Sequence, residues 1–273
     1  MGRKRRKTAA KRVFGCCIAL AVIAAIAAAA SRGRENGTGE RYEASTERVK
    51  CQVEPAPSVD LSGCDLRGVS LNGAYLPSAN LEKADLRGVD LSFADLSNAN
   101  LNKADLSASK LIDTNLQRAT LTGADMSDTD ASDADFEGAN MKQAVFDRAN
   151  LSSADLRGNF PFSSLIAANL NEAKLAGADL TEADLSYASL VRASLADADL
   201  TSAVLFRANM SDSDLKGSSM RFADLRFTDL RFADLTQSDL SNANVEGIST
   251  VGSRWGETRC ADGRIQDGAT PCT

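Results

Sequence analysis

Thirty-seven acidic side chains and not one histidine set the limits on any chemistry this chain performs. Without histidine there is no imidazole base, no histidine-containing triad, and none of the commonest metal ligand. No P-loop, dinucleotide fingerprint or Cys-x-x-Cys motif occurs either. An active site would have to be made of carboxylates. Asp65, Asp85, Asp105 and Asp125 are the candidates, because they recur 20 residues apart. If residues at that interval stack, their charges raise one another's pKa or draw in a cation such as calcium. The structural reading is stronger. Aspartate bonds its own local backbone, and Arg67 and Arg87 sit close enough to offset the charge. We assign no catalytic, cofactor-binding or metal-binding residue, and do not read the chain as an enzyme.

The elements that would position such side chains follow from one rhythm. Starting at Val59-Asp60-Leu61 and Cys64-Asp65-Leu66, a small residue recurs every fifth position with a large apolar one two places later. Apolar centres run from Leu61 to Leu156 and, after a one-residue slip, from Phe160 to Val245, giving 38 units. Leucine fills 29 centres, and alanine fills 25 of the places two before them. A helix drifts by about 140° over five residues, and a flat strand alternates faces every two, so neither keeps the centres together. A chain that turns a corner at each unit does. Four units then close a square coil of 20 residues, with every centre on the axis. Coils about 4.8 Å apart leave little room beside each centre, so a small residue is required there. The count predicts about 9.5 coils. Aspartate or asparagine precedes most centres, which suits a turn.

The units Cys64-Asp65-Leu66-Arg67-Gly68, Ala84-Asp85-Leu86-Arg87-Gly88 and Ala178-Asp179-Leu180-Thr181-Glu182 resemble the A(D/N)LXX signature of pentapeptide-repeat proteins. That resemblance implies an all-β fold, a right-handed quadrilateral parallel β-helix with type II and type IV turns at its corners. It implies no activity. Gly158-Asn159-Phe160-Pro161-Phe162 shortens one unit to four residues, read as an irregularity within one continuous rod. The tail, from Trp255 through Thr258-Arg259-Cys260-Ala261-Asp262-Gly263 to Cys272, resembles a terminal module of exported bacterial members of this family. Ala261 stands where that module has proline. Trp255 is expected to cap the core.

Domain organisation follows. Residues 1–30 carry seven of the 31 cations and no acid, and residues 13–30 have no charge, which predicts a hydrophobic helix acting as signal anchor or signal peptide. Cys16 and Cys17 are read as apolar members of it. Residues 31–57 form a polar, glycine-containing stalk, 58–247 the solenoid with its slip near 157–160, and 248–273 the cysteine-containing cap. The basic side of a membrane segment stays in the cytoplasm, so the repeats are expected on the extracytoplasmic side, anchored or secreted. Cysteine usage agrees: Cys51 with Cys64 and Cys260 with Cys272 would staple the two ends. Alternatively Cys64 merely fills an inner site.

Beyond residue 30 the balance is −13, a poor match for nucleic acid or anionic lipid. One surface group stands out. Arg221-Phe222, Arg226-Phe227 and Arg231-Phe232 place three phenylalanines outward on three successive faces, with Phe206 and Tyr187 nearby. Exposed aromatics at this density mark a contact site for a protein partner or a second copy. Alternatively each phenylalanine covers the neighbouring coil while its arginine stacks on it. The expected function is a non-catalytic, exported or membrane-anchored scaffold displaying an acidic rod. The alternative is a DNA-mimic regulator of an enzyme such as gyrase, which the acidic balance allows and the export features oppose.

Overall fold

The computed structural model describes Cys51, residues 54–268 and Cys272. The segment 13–30, with its expected hydrophobic helix, and nearly all of the stalk lie outside the described residues. Among those described, no helix is long and apolar enough to cross a membrane.

Each residue preceding a centre forms a parallel bridge to its counterpart one coil on, from Asp60 with Asn80 to Asp239 with Arg259. All the corners between bridges but one are built the same way. Cys64 N–H donates to the Leu61 carbonyl at 3.1 Å, and Gly63 between them has φ 69°. A bond from the fourth residue to the first, with positive φ at the third, is the type II turn signature. It recurs after every centre from Leu61 to Val245 except Leu156. Most residues in that left-handed position are not glycine. Each costs roughly 1–2 kcal/mol in backbone strain, offset by the buried centre beside it at about 1.5–3 kcal/mol.

Every centre from Leu76 to Leu240 is 0% exposed, and the alanines two before them from Ala79 onward are buried as well. Where serine or threonine takes the inner place, a carbonyl usually accepts its hydroxyl: Thr114 donates to Leu91 and Thr228 to Leu205. The aspartate and asparagine row does what its chemistry predicts. Asp60 Oδ1 accepts the Ser62 N–H at 3.0 Å, and the same bond recurs along the chain. These side chains tie the bridge to the corner that follows it.

The slip is absorbed without a break. Asn140, Val145, Asn150 and Asp155 bridge to residues 19 rather than 20 further on, and the interval of 20 resumes at Asn159. Gly158 N–H reaches back to the Leu156 carbonyl at 2.8 Å. A three-residue γ-turn thus replaces the four-residue corner, shortening the coil by one residue.

At the far end the five-residue step outlasts the leucines. Ser249 and Arg254 bridge to Asp229 and Asp234, beyond the 58–247 span set by the apolar centres. Trp255 and Cys260 then take the place of centres, at 1% and 3% exposure. Strand β1 (Trp255–Arg259) pairs antiparallel with β2 (Ile265–Gly268). β1 therefore has the last coil on one side and a returning strand on the other, which closes an edge that would otherwise invite pairing. Both expected disulfides are present: Cys51–Cys64, with Cα atoms 5.6 Å apart, and Cys260–Cys272, at 5.1 Å.

Candidate functional site

The Asp65, Asp85, Asp105 and Asp125 ladder is real as a column, each bridged to the next. Arginine and serine occupy its carboxylates. Arg67 holds Asp65 at 2.7 Å and reaches Asp85 at 3.2 Å; Arg87 holds Asp85 at 2.6 Å and reaches Asp105 at 3.5 Å. Ser107 and Ser127 donate to Asp105 and Asp125. Among the described residues no group of three or more His, Cys, Asp or Glu is arranged to hold a metal. A hollow of about 560 Å³ lies at the last corner, lined by residues 242–248. Glu246 is the one ionisable residue in that lining.

Asp-Leu-Arg recurs as a local unit: Asp65 with Arg67, Asp85 with Arg87, Asp155 with Arg157, Asp224 with Arg226, and Asp229 with Arg231 are all paired at 2.6–2.7 Å. The guanidinium hydrogen bonds hold these carboxyls below the usual range, with Asp65 down to about 2. A depressed carboxylate pKa contributes stability above the unfolded value near 4, and that contribution is lost as pH falls through the folded value. Acid sensitivity is therefore expected between about pH 4 and pH 2. Asp224→Asn should lower stability at pH 7 by under about 1 kcal/mol and flatten the loss below pH 4, read from urea midpoints across that range.

Phe222, Phe227 and Phe232 are exposed at 55%, 47% and 60%. The structure does not gather them into one patch, because they stand on successive corners. Phe227 is instead brought together with the other two aromatics. Its ring meets Phe206 edge-on at 5.8 Å, and Phe206 meets Tyr187 the same way at 5.6 Å. Arg207 lies over both Phe206 and Phe227, at 5.4 and 5.7 Å, and Arg226 lies over Phe206 at 5.4 Å. The expectation that each arginine stacks on the phenylalanine after it holds only for Arg221, 5.7 Å from the Phe222 ring. Arg226 turns to a ring one coil back, and Arg231 is taken up by Asp229.

Phe227 and Phe232 also lean onto the following coil, over Gly247 and Gly252. A Cβ at either glycine would come within 2.6 or 2.4 Å of the ring. Covering the next coil and facing solvent are thus both true of these side chains. Sequence reasoning missed Arg207, the centre of the cluster. Its signal was the 20-residue column Tyr187, Arg207, Phe227, Gly247. Among the described residues Arg207 forms no ion pair, so its charge faces outward between two aromatic rings.

Residues 58–92, 90–128, 124–158, 163–201, 192–221 and 218–248 match the family described as Pentapeptide repeats, in 8 copies. Among solved structures, HetL resembles the chain: it is a pentapeptide repeat protein involved in heterocyst differentiation regulation, from the cyanobacterium Nostoc sp. strain PCC 7120. It is 29% identical over 83% of this chain and 100% of its own, with a TM-score of 0.72. Rfr23 from the cyanobacterium Cyanothece 51142 is 34% identical over 33% of this chain and 62% of its own, with a TM-score of 0.33. Full-length QnrB1, a plasmid-mediated fluoroquinolone resistance protein, is 20% identical over 71% of this chain and 92% of its own, with a TM-score of 0.29. No curated protein matches the chain.

Proposed function

We propose a function from one premise: this chain belongs to the pentapeptide-repeat family, and its coils form a right-handed β-helix. It works as a non-catalytic protein-interaction scaffold, exported or membrane-anchored, with the repeats on the extracytoplasmic side. The observation that carries this reading is the Tyr187–Phe206–Phe227 cluster with Arg207. Aromatic and arginine side chains are what interface centres are made of, and here they stand on a frame whose own core is already sealed. Arg221, Phe222, Arg231 and Phe232 extend the surface around the neighbouring corners.

Two disulfides in one short chain support an oxidising compartment. Residues 1–30 would supply the targeting segment, 31–57 the stalk, 58–247 the solenoid and 248–273 the cap. The acidic rod, at −13 beyond residue 30, suits an aqueous surface and repels nucleic acid.

The test is in two parts. Protease added to intact cells should remove the repeats without lysis. Replacing Phe222, Phe227 and Phe232 by serine should leave the β spectrum unchanged while in-cell cross-linking through this surface is lost. Undiminished cross-linking by the triple variant sinks the interaction reading. Inhibition of purified gyrase by the wild-type protein would favour the DNA-mimic alternative.

A further inference from the structure

We propose that the partner at this corner is a second copy of the chain, packed antiparallel about a two-fold axis at Ile166 and Ala167. The inference rests on the protein-interaction reading above and adds the partner's identity and register.

Two columns of side chains run side by side along the corner. The bridges from Asp85 through Asp125, Val145, Ser164, Asp184 and Val204 to Asn244 define the row that leads into it. Two residues after each bridge lies the first column, from Arg87 through Ile166 to Glu246. Three residues after lies the second, from Gly88 through Ala167 to Gly247. Backbone bonds stack the columns coil on coil: Asp128 N–H to the Asp147 carbonyl, Arg148 to Ile166, Ala167 to Ser186, and Arg207 to Arg226.

Antiparallel rods related by a two-fold axis present each column to itself in reverse order. Reversed about Ile166 and Ala167, the columns complement themselves. Asp128 faces Arg207, Arg148 faces the Tyr187 ring, Ala108 faces Phe227, and Arg87 faces Glu246. Ile166 and Ala167 meet their own copies at the centre. The charges that need a partner find one. Arg207 has no ion pair among the described residues; opposite it, Asp128 is held by Arg148 at 2.6 Å, but Asp147 and Asp125 lie near that same guanidinium and add negative charge that one arginine does not balance. In the bridge row beside the two columns, the one like-charged pairing, Asp105 against Asp224, is eased because Arg226 already neutralises Asp224 at 2.6 Å. Other registers do worse. Moving the axis by one coil sets Arg207 against Ala167 or Gly88.

Size sets the expected strength. From Arg87 to Glu246 the strip spans about 38 Å at a coil spacing near 4.8 Å. A strip about 10 Å wide buries roughly 800 Å² in total, below the range of stable specific interfaces and within that of weak, transient ones. The dimer should therefore be weak, concentration-dependent and weakened by salt.

The test uses full-length protein. Ala167→Cys places two thiols at the axis and should give a disulfide-linked dimer on oxidation, whereas Tyr187→Cys, whose two copies lie two coils apart, should give no disulfide-linked dimer. In sedimentation equilibrium, Asp128→Arg and Arg207→Asp should each weaken association about tenfold, and the two together in one chain should restore it. A monomeric Ala167→Cys protein, a disulfide-linked dimer from Tyr187→Cys instead, or a double variant no better than the singles would overturn the proposal. Were the wild type monomeric while the triple serine variant still lost its cross-linked partner, the dimer would fall and the interaction reading would stand.

Discussion

Phe146→Ala should lower the unfolding free energy by about 3–5 kcal/mol and split a single urea transition into two. Phe146 is 0% exposed and sits where the core departs from leucine. Phe136 meets it edge-on, with ring centres 6.2 Å apart, and Phe160 stands 5.9 Å away at a tilt. Centres two apart lie on opposite faces of the coil, so Phe136 and Phe146 reach toward one another across the axis. Truncation to alanine opens a void that the rigid coils above and below cannot collapse to fill, so the cost includes a cavity as well as lost transfer energy. Phe146→Leu should cost about 1 kcal/mol, since most of the volume is kept. The split transition follows from linear architecture: each coil touches only its neighbours, so a weak coil in the middle uncouples the two halves. A single, unshifted urea transition for the alanine variant would show that coupling between coils does not pass through this site.

The solenoid could be read from the chain because its core is one-dimensional. Leu61, Leu66 and Leu71 are equivalent, and a geometric argument made for one unit holds for the rest. Alanine at the inner place and aspartate before the centre were explained by room and by local bonding, and both roles are seen. Contacts between units were harder to read. Arg226 is adjacent to Phe227 in the chain, yet its guanidinium lies over Phe206, because spatial neighbours here are 20 residues apart. The interval falls to 19 across the slip, which hides the alignment of Asp147 with Ile166. The bridges beyond the last apolar centre were harder to read for a related reason. Thr250, Trp255 and Cys260 keep the step of five but not the residue type, so periodicity in leucine stops before periodicity in backbone does. Arg207 went unnoticed as a single residue. Its importance comes from having aromatic rings on two coils and, among the described residues, no ion pair.

Gly158→Ala should be among the most damaging substitutions in the chain, although it installs the residue most common at that place. A Cβ on Gly158 would lie 2.7 Å from the Ala139 carbonyl oxygen and 3.0 Å from the Met141 methyl. The first contact is with backbone and cannot be relieved by a rotamer change. The γ-turn from Leu156 to Gly158 replaces the four-residue corner and sets position 158 against the Ala139 backbone, which is why alanine fits at Ala154 and Ala168 but not at 158. Overpacking against fixed backbone costs about 1–3 kcal/mol, and the upper end is expected here. A compensating change tests the cause. Inserting one glycine after Arg157 returns the unit to five residues, so an ordinary type II corner can form and the inner place regains its usual room. In that background Gly158→Ala should become neutral or mildly stabilising, because alanine lowers the entropy of the unfolded chain by about 0.4–1 kcal/mol. If alanine at 158 is equally harmful with and without the insertion, the short corner is not what demands glycine.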